Sequence, residues 1–446
     1  MGMGRTEDLV FTAVLLMSCM SRTCEEAPQT LVQVNLHFRH GDRTPFIPYP
    51  SSQWQEDAWP EGLGQLTRLG MRQQCELGQF IRRRYDGFLD KSYIRTEVSV
   101  RSTDTDRTVM SAQTNLACLF PLSGQQQWHE TLPWQPVPVH IPLLQTFPNS
   151  TFEGCPRYEL LFNELMQSEL VQEKEKLYQG FVSKVSSLAG YTDAKLENVW
   201  NMEDPLFCEW CQNKTAPSWL HSVWPDTNKT MWTMIRELTH YYWRWQRGTD
   251  ELRKLWGGGG KILSEFVGNM QKKISAGPSN TSVPKMFMYS GHDSTVAPLL
   301  AAMNVFNNVS PPYAACVIVE LHQDPVTGGH WVQVLYRNLS RDPGSMNTHP
   351  EPYELSIPGC KFKCPFDRFL SLNADVLMTG AEWTEACSIT TAKERALKIV
   401  AIVAIPALVI VLVICALIFY SRRKRAKQDF TSQPLLSLED EDEEEL

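Results

Sequence analysis

At 446 residues, 43% of them hydrophobic and 10% aromatic, the chain can bury a large core, either one big domain with an insertion or two domains, and is no disordered tail protein. Its formal charge of -8, with no basic stripe in the body, excludes nucleic acid as the main partner and makes any phosphate preference local.

Leu9 to Met20 is an apolar run too short to cross a bilayer and is followed by small and polar residues. It reads as a secretory signal cleaved near Ser21 to Cys24, so positions 1–24 are set apart from the fold. Leu31, Val32, Val34, Leu36 and Phe38 then predict a strand buried on both faces, which runs straight into Arg39-His40-Gly41-Asp42-Arg43-Thr44-Pro45. Gly41 permits a sharp turn, and Arg39 and Arg43 flank His40 with two permanent forked donors. The result is an anion site with an imidazole inside it.

After Gly62 or Gly64 an amphipathic helix is expected, with Leu66, Leu69, Cys75, Leu77, Phe80 and Ile81 as its buried stripe. Thr96 to Val100 is a short strand ending in Arg101, and Ser102, Thr103 and Asp104 are N-cap candidates for a helix from Arg107 to Leu119. Arg101 is thereby placed at a second strand end, facing the anion. Trp128 to Glu159 is a Pro-rich, aromatic connection, and Pro142 to Trp256 reads as a helical insertion above the active edge of the sheet. Gly257 to Gly260 reads as a flexible joint and, lacking a Gly-Lys-Ser/Thr ending, a poor phosphate loop.

A helix from Lys261 to Ile274 leads to a third strand, Lys285 to Tyr289, which ends in Ser-Gly-His-Asp-Ser-Thr before a helix from Val296 to Met303. In open α/β sheets ligands bind at the carboxyl ends of strands, so Arg39, His40 and Arg43, then Arg101, then His292 and Asp293 can converge. Strands Cys316 to His322 and Trp331 to Tyr336 suit an antiparallel edge, and Gly359 to Cys387 forms a disulfide-bearing end to the domain. The α/β part therefore comprises 25–141 and 257–389.

Thr390 to Lys398 is a short stalk before Ile399 to Tyr420, an apolar run of 22 residues broken only by Pro406. Arg422, Arg423, Lys424, Arg425 and Lys427 follow, so the positive-inside rule predicts a type I protein with residues 421–446 in the cytosol, ending in the acidic run Glu439 to Glu445. Asn149, Asn213, Asn228, Asn280, Asn308 and Asn338 begin Asn-x-Ser/Thr acceptors, all between the two apolar runs, and their segments should be exposed. Twelve cysteines in a lumenal protein invite disulfides once Cys19 and Cys415 are discounted.

The residue set fits a two-step phosphoryl transfer. Neutral His40 attacks phosphorus, Arg39, Arg43, Arg101 and His292 neutralise the equatorial oxygens, and Asp293 protonates the leaving alkoxide and later deprotonates water. The scheme calls on no metal and no cofactor.

Arg39-His40-Gly41-Asp42-Arg43-Thr44-Pro45, Val100-Arg101-Ser102-Thr103-Asp104 and His292-Asp293 resemble the signature of the histidine acid phosphatases, and the likeness covers almost everything from Leu31 to Cys387, including GLGQLT, CPRYE and PPYAAC. The resemblance is to membrane-anchored members and implies a phosphoglycerate-mutase-like, doubly wound mixed sheet with a helical cap. It also implies a phosphohistidine on His40, a homodimer, and disulfides Cys155–Cys387, Cys208–Cys316 and Cys360–Cys364. The stretch VHIPLLQTFP is shorter than its family counterpart, and Cys211 forms a Cys-x-x-Cys with Cys208 that leaves its pairing open. No tyrosine sorting signal follows the span, so lysosomal membrane and plasma membrane both remain as destinations. A phytase-like enzyme would need a wide basic pocket, for which no Lys/Arg cluster is evident. A silent ectodomain acting in adhesion or sorting is at odds with six intact reactive residues.

Overall fold

Nine consecutive buried residues make β1, Leu31–Arg39, the central strand. The computed structural model describes residues 30–122, 124–141, 154–225, 227–338, 351–389 and 392–431. The signal segment, the Asn149 acceptor, most of VHIPLLQTFP and the acidic tail lie outside them. The other strands are β2 (Val98–Ser102), β3 (Met286–Gly291), β4 (Cys316–Gln323), β5 (His330–Arg337), β6 (Tyr353–Leu355) and β7 (Cys364–Pro365). The order is β2-β3-β1-β4-β5-β6, with β7 also on β5. β3 runs parallel to both β1 and β2, whereas β4 and β5 are antiparallel. Arg39 pairs with Gly291 and Ser102 with Ser290, so three carboxyl ends lie level at one edge.

The two faces of β1 are buried by different chemistry. Val34, Leu36 and Phe38 join a core cluster with Leu77, Phe80 and Ile81 of α1 (Arg68–Arg84) and Ala112 and Leu116 of α2 (Asp106–Leu119). Gln33, Asn35 and His37 face the other way and are fully buried yet satisfied. Asn35 Oδ1 accepts from Asn269 at 2.9 Å, and His37 Nε2 lies 2.9 Å from Thr295 Oγ1. Burial without those partners would cost several kcal/mol, roughly 1–3 for each unpaired group.

Between the first and third strands stand α3 (Pro156–Met166), α4 (Glu169–Leu188), α5 (Leu196–Cys211), α6 (Met231–Trp245), α7 (Asp250–Leu255) and α8 (Gly259–Ala276). After β3 come α9 (Asp293–Ala302), then α10 (Phe366–Asn373) and α11 (Gly380–Ala386). The inserted helices share one apolar cluster with the sheet, since Val185, Val199 and Leu238 belong with Phe287 and Val317. Residues 389–446 form a separate unit, in which α12 (Ala392–Thr431) is long and apolar enough between Val400 and Arg425 to cross a membrane. That helix already begins within the expected stalk.

Two expectations need correction. Gly257 to Gly260 is no flexible joint: Gly257 and Gly258 take positive φ, and all four are buried. A Cβ on Gly259 would lie 2.2 Å from Pro298 O and one on Gly260 2.3 Å from Val376 O, so the glycines exist to let α8 press against α9 and the chain after α10. The Cys208–Cys316 bridge is absent. Cys316 belongs to the core cluster on the α1/α2 face, whereas Cys208 Sγ on α5 sits 3.5 Å from Tyr313 Oη and 3.6 Å from Arg43 Nη1. Cys155–Cys387 and Cys360–Cys364 are bridged, and so is Cys75–Cys118, which ties α1 to α2 and has no counterpart in the sequence reading. Among the acceptors, Asn213, Asn228 and Asn280 are exposed, while Asn308 and Asn338 are half-buried and Asn308 accepts from Arg247.

Gly259→Ala should lower unfolding stability by about 3 kcal/mol or more, because the clash is with backbone that cannot rotate away. Gly268→Ala, also in α8 but with open space around it, should gain up to about 1 kcal/mol from helix propensity. Denaturant titration of the detergent-solubilised chain checks both, and equal effects would contradict the packing role.

Candidate active site

The β1 carboxyl end is fixed by main-chain bonds before any side chain acts. His40 N donates to Gly291 O at 2.9 Å, Gly41 N to Ser111 Oγ at 3.1 Å, and Asp42 N to Gln73 Oε1 at 2.7 Å. Gly41 is required here, since a Cβ would fall 2.2 Å from Gly70 O in the first turn of α1. Asp42 is buried and accepts from Thr67 Oγ1 at 2.5 Å, from Gln212 Nε2 and from the Cys211 thiol, which fastens the end of α5 to this loop. Burial nevertheless raises its pKa to about 6.

His40 Nδ1 lies 2.7 Å from Gly41 O. A carbonyl only accepts, so Nδ1 carries the hydrogen and Nε2 keeps the lone pair. Burial, then the charges of Arg107, Arg39, His292 and Arg43, hold its pKa well below the ordinary imidazole value, so the ring stays a neutral base in acid. His292 faces it with ring centroids 5.5 Å apart. Its Nδ1 is 3.2 Å from Arg107 Nη2, which can only donate, so Nε2–H donates to Thr103 Oγ1 at 2.9 Å. The same causes, burial first and then Arg107 and Arg39, keep His292 neutral as well.

Asp293 opens α9 and its Oδ2 lies 2.7 Å from Arg39 Nη2. Arg39 also donates from Nη1 to Pro311 O at 2.6 Å and stacks 4.3 Å over Tyr313. Arg43 is held in a fork by Asp204 of α5, at 2.7 and 3.1 Å. Asp204 was not singled out from sequence; nothing in the spacing of α5 marks it.

Arg101 is the site expectation that the geometry corrects. Its guanidinium pairs with Glu265 of α8 and is 38% exposed. Val98, Val100 and Ser102 alternate inward on the α1/α2 side, so Arg101 must project to the opposite face. Its place is taken by Arg107 in the first turn of α2, which contacts His292 and lies 4.9 Å over the Phe46 ring. Loss of hydration and the nearby Arg43 lower its pKa to about 10, which leaves it cationic in acid. The Nε atoms of Arg39, Arg43 and Arg107 are buried and have no hydrogen-bond partner among the described residues. Three unsatisfied cationic donors around a neutral imidazole, at the N-termini of α2 and α9, fit a tetrahedral oxyanion. Above it opens a cavity of about 990 Å³ lined by residues of α3 to α6.

The model of the histidine phosphatase superfamily, branch 2, matches residues 30–337. Bovine prostatic acid phosphatase is 41% identical over 370 residues, spanning 81% of this chain and 88% of its own. Human lysosomal acid phosphatase is 38% identical over 390 residues, 86% of each chain. Among solved structures, Hafnia alvei phytase in complex with tartrate superposes with a TM-score of 0.59 at 18% identity, covering 82% of this chain and all of that one, a likeness of fold alone.

Two outcomes follow from this geometry. Arg107→Ala should weaken binding of inorganic phosphate by roughly tenfold or more, whereas Arg101→Ala should change it less than about twofold, as read by calorimetry; a charge-assisted bond justifies the difference. Asp42 (about 6) and Glu203 (about 7) both carry raised pKa values, so the folded chain holds protons that the unfolded chain releases. Their contribution to stability is full below about pH 4 and is lost as pH climbs to about 7. Unfolding titrations should show that decline, and Asp42→Asn should flatten its lower part.

Proposed function

The chain belongs to branch 2 of the histidine phosphatase superfamily, and from that premise we propose that it is an acid phosphatase hydrolysing phosphate monoesters through a phosphohistidine on His40. The observation that carries this reading is the neutral Nε2 of His40 surrounded by the guanidinium groups of Arg39, Arg43 and Arg107. In the first step the N–P bond forms as the P–O bond to the leaving group breaks. The three arginines take up the charge on the equatorial oxygens, a role in which preorganised donors are worth several kcal/mol, roughly 3–4 each. Asp293, a carboxylate paired with Arg39 in the free site, takes up a proton from solvent as the phosphoryl group engages that guanidinium, and passes it to the departing alkoxide. In the second step water attacks the phosphoryl group, Asp293 takes its proton back, and His40 leaves.

Arg39 and Arg43 are each clamped by a carboxylate, Asp293 and Asp204, so the cradle is rigid before substrate arrives. His292 has both ring nitrogens engaged, Nδ1 accepting from Arg107 and Nε2–H donating to Thr103, so it positions Arg107 within the cradle. We place residues 25–389 on the lumenal or extracellular side of a type I protein, as a homodimer, with residues 142–256 as a cap and 1–24 as a removed signal. The basic run after Tyr420 and the acceptors Asn213, Asn228, Asn280, Asn308 and Asn338 support that side. Lysosomal membrane and plasma membrane are the two destinations.

Asp293→Asn should slow single-turnover phosphorylation by alkyl phosphates about 10²–10⁴-fold, the usual worth of a general acid, but slow p-nitrophenyl phosphate far less, because nitrophenolate departs unprotonated. Equal losses for both would remove the general-acid role and leave Asp293 as an anchor for Arg39.

A further inference from the structure

The wall beyond the cradle has the wrong charge for a polyphosphate. Arg39 and Arg43 are already paired with Asp293 and Asp204. Of the other cations lining the cavity, Lys195 is held by Asp193 at 2.7 Å, and Arg236 lies 5.8 Å over the rings of both Phe207 and Trp232. Against them stand Glu159, Glu175 and Glu197 at the rim and Glu203, half-buried in α5 next to Asp204. Loss of hydration is the main force raising the Glu203 pKa to about 7; Asp204 and Asp293 add to it, and Arg236 and Arg39 oppose it. A carboxyl in that setting gains its charge when a further cation comes close.

The same wall is aromatic. Trp200 and Tyr242 line the cavity with centroids 4.2 Å apart, and Phe162 packs edge-on to Tyr242 at 5.8 Å. Burial first, and then the negative charges of Glu197 and Asp293, raise the pKa of the Tyr242 hydroxyl. Ring faces beside carboxylates attract ammonium groups, through the ring quadrupole and through Coulomb attraction together.

We propose that Glu203, beside the packed rings of Trp200 and Tyr242 that line the cavity, forms a subsite for a cation on the leaving-group side, so that the enzyme prefers phosphate monoesters whose organic part carries an ammonium and disfavours those carrying a second phosphate. This rests on the phosphatase reading above and adds the substrate class to it. Glu203 is the specificity-determining residue. The organic group extends from the phosphoryl cradle over α5 toward Trp200, and a second phosphate there meets the carboxyl groups of Glu203, Glu159, Glu175 and Glu197 against the guanidinium of Arg236.

The test compares kcat/KM for phosphocholine and its uncharged isostere 3,3-dimethylbutyl phosphate near neutral pH, with propane-1,3-diol bisphosphate as the polyanion and p-nitrophenyl phosphate as the reference substrate. Phosphocholine should exceed the isostere by about tenfold, mostly through KM, which is the scale of one partly desolvated cation contact, and the bisphosphate should rank last. Glu203→Gln, normalised to p-nitrophenyl phosphate, should bring the phosphocholine ratio close to one. Should that variant fail to fold, Trp200→Leu is expected to reduce the same ratio. Equal kcat/KM for the pair in the wild-type chain, or a ratio unmoved by a folded variant, would overturn the subsite. A wild-type chain that turned over none of the four would overturn the phosphatase reading itself.

Discussion

An imidazole can act as a nucleophile in acid only if its proton is kept off, and here burial first, and then the positive charge of Arg107, Arg39 and Arg43, does that work. The loss of hydration and then the three guanidinium groups hold His40 neutral, and the Gly41 carbonyl fixes which nitrogen carries the hydrogen. Packing three like charges around one ring is costly in a low-dielectric setting. The rest of the site offsets that cost: Asp204 and Asp293 each neutralise one arginine, and Arg107 sits over the Phe46 ring as Arg43 does at 3.8 Å. On the proposed reading an incoming phosphate brings negative charge to the buried Nε–H groups of Arg39, Arg43 and Arg107, which have no hydrogen-bond partner among the described residues.

Helix α5 emerges as the element that couples the insertion to the chemistry. Asp204 holds Arg43, Cys211 and the adjoining Gln212 bind the Asp42 carboxylate, and Glu203 looks into the cavity. All three contacts come from within three turns of one helix, so a shift of α5 would be felt at the signature loop and at the substrate wall together. Its Cys208 thiol, buried beside Arg43 and Tyr313, is part of the same packing.

Much of this was legible because strand ends are easy to see. A run such as Leu31 to Phe38 that gives way abruptly to Arg39-His40-Gly41 marks a carboxyl edge, and Tyr289 followed by His292-Asp293 marks another, so their meeting follows from parallel pairing. Arg101 misled because proximity to a strand end says nothing about which face a side chain takes. The alternation of Val98, Val100 and Ser102 contained that information, and the first helical turn bearing Arg107 was the better guess for an anion contact. Cys75 fitted the apolar stripe of its helix so well that no bridge was needed to explain it, and its partner Cys118 lies on the neighbouring helix. Cys208 and Cys316 show the opposite failure, since a pairing implied by resemblance meets two side chains that belong to different packing environments. Asp204 and the close approach of Gly259 to Pro298 depend on tertiary contacts that no local pattern encodes.

The central claim is that His40 Nε2 itself carries the phosphoryl group. Mixing enzyme with radiolabelled p-nitrophenyl phosphate, quenching in alkaline denaturant to preserve a phosphoramidate, and mapping the labelled peptide tests it most directly. The account predicts label on His40, formed and lost at rates that support turnover, and no label in His40→Ala. Label on any other residue, or full turnover by the alanine variant, would contradict it.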